Sequence, residues 1–378
     1  MLNKTNLHQY QRNVLEKAKQ LPNLGLFMEP GLGKTVTALT IIEESPKGAT
    51  LVIAPKRVAE SVWAQECANW KHLSSMKVGK IMGSPSQRLK VLQSSLDVYV
   101  INVENVTWLI DNWIDNKFQY LIVDESSRFK DPSTKRFKAL KKVLKQFQRR
   151  IILTGTPTPQ GYADLWAQIG LLDLGERLET SITRFREKYM YVAEKNRHTG
   201  VVYKWALNTG ADKLINSRIS DICFSLLAED YLELPSLSNL YHRISFDNDI
   251  RAKYNELKKH MVAQVGKEEI TAPTAATLTN KLLQFTSGAI YTESHEVVHI
   301  HDTKLEFLES LLEESSAPTL LFYHFKHSLQ RILDKFPEAV VLQDDNIQQW
   351  RDGKIKLLVA HPQSGGIGLN LQCNTGEL

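Results

Sequence analysis

The chain has 378 residues, 42% hydrophobic and 24% charged, with a formal net charge of +5. That length is enough for two or three domains with cores of their own, and the mild positive charge permits a nucleic-acid partner without requiring one. Cys67, Cys223 and Cys373 have no Cys-x-x-Cys spacing, which excludes a disulfide framework and a cysteine zinc site. The first residues form no apolar signal-peptide core and no apolar run is long enough to span a bilayer, so a soluble, cytoplasmic protein without a membrane partner is expected.

The first predicted element is a helix with Leu7, Tyr10, Val14 and Leu15 on one stripe. Gln11 lies within it. Its amide both donates and accepts, so it either reads the edge of an adenine or is a solvent-facing helix glutamine. An apolar run, Leu24 to Met28, then meets Glu29-Pro30-Gly31-Leu32-Gly33-Lys34-Thr35 and a helix-compatible segment ending at Glu43. Strand, glycine turn and helix in that order make a phosphate cradle. Gly31, Leu32 and Gly33 would point backbone N–H groups at an anion beside a helix N-terminus. Lys34 would reach the β- and γ-phosphates, and the Thr35 hydroxyl would ligate Mg²⁺. Met28 stands where the strict G-x-x-x-x-G-K-[ST] pattern has glycine.

Thr50 to Ala54 reads as a buried parallel strand ending at Pro55. Lys56 and Arg57 follow, then an amphipathic helix carrying Val58, Val62, Trp63 and Trp70. At the carboxyl end of a central strand the basic pair either holds nucleic-acid phosphates or is a solvated helix start. Val98 to Asn102 is a third strand and Tyr120 to Val123 a fourth, running into Asp124-Glu125-Ser126-Ser127. On a strand expected to neighbour the phosphate loop, Asp124 would hold Mg²⁺ and Glu125 would orient and deprotonate the attacking water. Residues 133–147 predict a helix with Phe137, Leu140, Leu144 and Phe147 buried; its lysine face is read as solvated rather than DNA-binding. A fifth strand from Arg150 ends in Thr154-Gly155-Thr156-Pro157, where Thr154 is placed to touch both the metal carboxylate and the γ-phosphate region.

From Leu171 the spacing is mainly helical, with one candidate hairpin between Asn196 and Trp205. Thr319–Tyr323, Ala339–Leu342 and Ile355–Ala360 then read as strands of a second α/β lobe, followed by the glycine-rich Ser364 to Leu371.

In order and spacing these segments resemble the Swi/Snf family of superfamily two DNA translocases. Leu7 to Gln11 resembles the family's adenine-reading entry and Glu29 to Thr35 its phosphate loop. Leu51 to Pro55, with Trp63, Glu66 and Trp70, resembles its first DNA-contact block. Asp124 to Ser133 resembles its Asp-Glu-Ala-His box, with Ser126 and Ser127 in place of Ala-His. Leu153 to Pro157, with Asp164-Leu165-Trp166, resembles its coupling motif, and residues 364–371 a second-lobe motif. The resemblance implies an α/β fold of two RecA-like lobes: residues 1–170, a helical insertion over 171–302 that grips DNA, and a second lobe over 303–378. It implies Mg-ATP hydrolysis coupled to movement along DNA, duplex DNA as partner, and action as a monomer. DNA contacts are expected from Pro55, Lys56, Arg57, Asn102, Gly366 and Asn370. The family continues into an arginine-bearing motif beyond the point matching Leu378. The expectation is therefore a C-terminally truncated chain that binds ATP and turns it over slowly, similar to compact phage or bacterial members.

Overall fold

The computed structural model describes residues 1–196, 199–231, 239–260, 262–265, 268–271, 274–314, 317–362, 371 and 373. The chain divides into two compact units, Met1–Leu234 and Pro235–Leu378.

In the first unit α1 (Gln9–Ala18) leads to β1 (Asn23–Met28), α2 (Lys34–Glu43) and β2 (Thr50–Ala54). Then come α3 (Trp63–Asn69), β3 (Val78–Lys80), α4 (Pro85–Gln93), β4 (Val98–Asn102), α5 (Val106–Asp111), β5 (Tyr120–Asp124), α6 (Lys135–Lys141), β6 (Arg149–Thr154) and α7 (Ala163–Asp173). The unit closes with α8 (Ile182–Tyr189), the hairpin β7 (Met190–Lys195) and β8 (Val202–Leu207), α9 (Ala211–Ile219) and β9 (Cys223–Leu226).

Seven strands form one sheet in the order β3-β4-β2-β5-β6-β1-β9, every neighbouring pair parallel. The central strands are apolar at nearly every position because both faces are covered. Alternate side chains feed two cores. Leu51, Ile53, Leu121, Val123 and Ile152 join α5 to α9 on one side. Val52, Ala54, Ile122, Ile151 and Leu153 join α1, α2 and α3 on the other. All five strands expected in this part of the sequence are present, and their carboxyl ends emerge along one edge of the sheet.

Three features depart from expectation. β5 does not neighbour β1: β6 lies between them, paired to both. Strand β3 carries a single apolar residue, and β9, though apolar, is only four residues long and owes its place to pairing with β1, Gly25 to Cys223 through Met28 to Leu226. The helix expected over 133–147 stops at Lys141 and finishes as a 3-10 turn, Leu144–Gln146, because the chain must turn to enter β6, with Gln148 N–H donating to Gln119 O at 2.8 Å. Its predicted stripe is nevertheless buried. The expected hairpin exists as β7–β8, antiparallel from Met190–Leu207 to Lys195–Val202.

The second unit comprises α10 (Asn248–His260), the hairpin β10 (Val262–Val265) and β11 (Glu268–Thr271), α11 (Ala275–Thr286), the hairpin β12 (Ala289–Tyr291) and β13 (Val297–His299) and α12 (Thr303–Glu314). It continues with β14 (Thr319–Phe322), α13 (Lys326–Lys335), β15 (Val340–Val341), α14 (Ile347–Arg351) and β16 (Leu357–Ala360). The last three strands form a parallel sheet in the order β14-β16-β15, so the second lobe is α/β as expected. Gly366 and Asn370 lie outside the described residues.

Ile152 is fully buried on β6, the strand between the phosphate-loop strand and the acidic strand. Ile152→Ala is expected to destabilise the protein by about 2–5 kcal/mol, transfer and cavity terms together, measured as a lowered urea midpoint. An unchanged midpoint would show that this core relaxes freely.

Candidate nucleotide and metal site

The site is built where parallel strands end. β1 gives way to a turn in which Gly31 and Gly33 have φ of 89° and 71°, a left-handed backbone that side chains disfavour. A Cβ on Gly33 would also fall 2.4 Å from Gln11 Nε2. Gly33 is the N-cap of α2, so the first free N–H groups of that helix open onto the loop. Leu32 is buried and anchors the turn from below.

Gln11 is not solvent-facing; it is 3% exposed. Its Oε1 accepts from His8 N–H at 2.8 Å, and its Nε2 donates to Leu32 O at 3.3 Å, beside a 3.3 Å bond from the Tyr10 hydroxyl to the same carbonyl. The glutamine thus clamps the start of α1 to the phosphate loop, with one donor and one lone pair in hand for a ligand. Next to it lies an open pocket of ≈ 730 Å³, whose lining includes His8, Tyr10, Gln11, Leu32, Gly33 and Glu66.

Lys34 donates to the carbonyls of Met28 at 2.7 Å and Glu29 at 3.3 Å, its ammonium held by the loop it belongs to. Burial lowers its pKa against the opposing charges of Glu125, Asp124 and Glu29. Thr35 is half-buried in the first turn of α2. Asp124 ends β5 and is 7% exposed. Its Oδ1 accepts from Glu125 N–H at 3.0 Å and its Oδ2 from the Trp63 indole at 3.2 Å. Burial first, and then the Glu125 charge, push its carboxyl up to about 7. Glu125 is also raised by burial, with Lys34 pulling the other way, and its φ of 49° turns the chain sharply out of the strand.

β6 ties the two halves together. Thr154 is buried, and its hydroxyl donates to Glu125 Oε2 at 3.5 Å while accepting from Thr156 N–H at 3.1 Å. A Cβ on Gly155 would come within 3.1 Å of Pro30 Cδ and 3.4 Å of Met28 O, so the turn after β6 lies directly against the phosphate loop. The intervening strand is what brings Lys34, Asp124, Glu125 and Thr154 to one place.

Of the residues expected at DNA, Lys56 is exposed and 3.9 Å from Glu60, whereas Pro55 and Asn102 are buried. Asn102 donates to Glu104 at 2.7 Å and accepts from Asn105 at 2.6 Å. Lys56 and Asn102 line one open groove of ≈ 550 Å³, with Glu60 and Glu104 in its walls. Arg57 sits beside Lys56 at the start of the following helical turn.

Three supports were not legible in the sequence. Trp63 is one; a fully buried indole needs an acceptor, which is the only advance signal. Gln168 on α7 accepts from the Ser126 hydroxyl at 2.8 Å and donates to Pro157 O and Asp164 O at 2.7 and 2.8 Å. Glu29 accepts from Ala228 N–H at 2.7 Å, which binds the phosphate loop to the segment after β9.

The chemistry fits Mg²⁺ and a triphosphate. Buried Asp124 and half-buried Glu125 face one ammonium, and burial raises both carboxyls, a cost that a hard cation with oxygen ligands would relieve. Among the described residues no three His, Cys, Asp or Glu side chains cluster as a complete protein cage. No helix among the described residues is long and apolar enough to cross a membrane.

A buried acid whose folded pKa lies above its unfolded value near 4 holds its proton more tightly in the folded state. Its contribution to stability is therefore fully present at low pH and is lost as pH rises through about 7 for Asp124. Asp124→Asn is expected to stabilise the metal-free protein at pH 8 by about 1–2 kcal/mol, and less at pH 5, measured by urea unfolding in chelator. An equal gain at both pH values would rule out ionisation as its source.

The family described as SNF2-related domain matches residues 10–288. Putative protein p41 of Acyrthosiphon pisum secondary endosymbiont phage 1 is 35% identical over 380 residues, covering 96% of this chain and 82% of that protein. The SWI/SNF-related matrix-associated actin-dependent regulator of chromatin subfamily A-like protein 1 of Xenopus tropicalis is 26% identical over 346 residues, 88% of this chain but 33% of that protein. The solved Sulfolobus solfataricus SWI2/SNF2 ATPase core in complex with dsDNA shares the fold, with a TM-score of 0.51 at 20% identity, covering 97% of this chain and 80% of that one. With well over half of its length matched by one family, and a phage relative aligned along nearly all of it, the chain belongs to the SNF2-related domain family.

Proposed function

We propose that this chain is an ATP-dependent DNA translocase, in which hydrolysis of Mg-ATP at the carboxyl edge of the seven-stranded sheet drives movement along DNA, duplex DNA being its track. The observation that carries the reading is the meeting of Lys34, Asp124, Glu125 and Thr154 beside a glycine loop that opens a helix. The Sulfolobus core of the same fold, solved in complex with dsDNA, supports the choice of polynucleotide.

In this reading the backbone N–H groups from Gly31 to Lys34 receive the phosphates. Lys34 exchanges the Met28 and Glu29 carbonyls for β- and γ-phosphate oxygens. Thr35 and Asp124 hold Mg²⁺, which when bound neutralises charge developing on the phosphates. Glu125 orients the attacking water and accepts its proton, a task suited to a carboxylate whose pKa burial has raised. Thr154 touches Glu125 and so registers whether the γ-phosphate is in place. His8, Tyr10 and Gln11 line the pocket offered to the base. Lys56 and Arg57 supply the phosphate contacts to DNA. Glu60 and Glu104 nearby make that contact one of few charges rather than a broad basic patch.

Lys34→Ala is expected to lower ATP turnover by roughly 100-fold or more while leaving the circular dichroism spectrum unchanged. A variant that hydrolyses ATP at the parent rate would remove Lys34 from the site. Duplex DNA should stimulate the parent ATPase more than single-stranded DNA or RNA; greater stimulation by RNA would overturn the choice of track. Lys56→Ala should weaken duplex binding uniformly across sequences and reduce the salt slope by about one, measured by fluorescence anisotropy. An unaltered slope would take Lys56 off the DNA.

A further inference from the structure

Trp63 is fully buried, in the same core as Val52, Ala54 and Ile122, yet its one polar atom is spent on the site: Nε1–H donates to Asp124 Oδ2 at 3.2 Å. Glu125 N–H takes the other oxygen at 3.0 Å. Each carboxylate oxygen therefore has one fixed protein donor and one lone pair left over. The two donors differ in what they fix. The Glu125 N–H belongs to the adjoining peptide and follows Asp124 wherever it goes. The indole is on another element, is rigid, and donates only.

The chain takes an unusual path to put it there. Residues Val58–Val62 form a π-helical turn between the Pro55-Lys56-Arg57 segment and α3. Such turns are rare and recur at functional sites. The extra residue in the turn offsets the helix that follows by one residue step, roughly 100°, and so decides which side chain of α3 faces β5. A ring without nitrogen would fill the same apolar space. Packing alone does not account for an indole whose N–H meets the carboxylate.

We propose that Trp63 is a positioning residue for the metal: its indole N–H locks the Asp124 carboxylate in the orientation that receives Mg²⁺. The proposal rests on the reading of Asp124 as the metal carboxylate. It assigns Trp63 no contact with nucleotide or substrate. It gives the helix that starts at the basic pair a direct hold on the metal ligand.

The N–H can be removed with little change of shape by placing β-(3-benzothienyl)alanine at position 63, with Trp63→Phe as a second variant. Binding of a fluorescent ADP analogue is measured in chelator and across a Mg²⁺ titration, with circular dichroism to check the fold. For both variants the Mg²⁺ concentration giving half of the metal-dependent gain in affinity should rise roughly tenfold, as when a metal ligand loses its hydrogen-bond partner. Affinity in chelator should stay at the parent value. Variants with the parent's Mg²⁺ dependence would overturn the proposal. So would an equal loss with and without Mg²⁺, which would make Trp63 a packing residue only. A failure of the underlying reading looks different: the parent would show no Mg²⁺-dependent gain, or Asp124→Asn would leave that gain intact.

Discussion

A buried aspartate and a half-buried glutamate held next to each other are the constraint around which the first unit is arranged. Asp124 ends, and Glu125 follows, a strand in which Tyr120 to Val123 are all buried, and the only cation among the groups acting on both is the half-buried Lys34. Left to themselves such groups would protonate or draw in water. Here Lys34 opposes both charges, the Trp63 indole donates to Asp124 and the Thr154 hydroxyl donates to Glu125, while burial still raises both carboxyls. The same burial that raises the Asp124 carboxyl also raises that of Glu125, the basicity that the proposed activation of water calls for.

The supports around this pair come from distant parts of the chain and converge through short contacts. β6 separates the phosphate-loop strand from the acidic strand; its last residue, Thr154, meets Glu125, and Gly155 just beyond it lies against the phosphate loop. Ser126, standing where the family's box has alanine, is used internally. Its hydroxyl reaches Gln168, whose amide holds the carbonyls of Pro157 and Asp164. The acidic turn and the Thr-Gly-Thr turn are thereby joined through α7 within one unit, without a histidine. On the opposite flank, β9 and the segment after it hold the phosphate loop through Glu29.

The elements that were legible in advance are those whose local chemistry has one explanation. Apolar runs that end abruptly in Gly-Lys-Thr or Asp-Glu announce buried parallel strands and what they carry. Less was legible where an element exists through its neighbours. β9 is four residues long and becomes a strand because β1 presents an unpaired edge. Residues 133–147 keep their apolar stripe in the core, yet lose the helix midway because β6 must begin nearby. From sequence Gln11 suits either an adenine edge or solvent; the fold buries it as a clamp on Leu32.

Local sequence is enough for the kinds of group present and their order: an ammonium after glycines, an adjacent pair of carboxylates after an apolar run, small hydroxyls after another. Those follow from near-neighbour patterns, which a linear chain displays directly. It takes the packed fold to place β6 between the two halves of the site, to bring Trp63 and Gln168 to it, and to bury Pro55 and Asn102 while Lys56 stays exposed. Strand order, burial and long-range hydrogen bonds depend on which distant surfaces pack together. That choice is made by the whole core at once, and no local stretch of residues contains it.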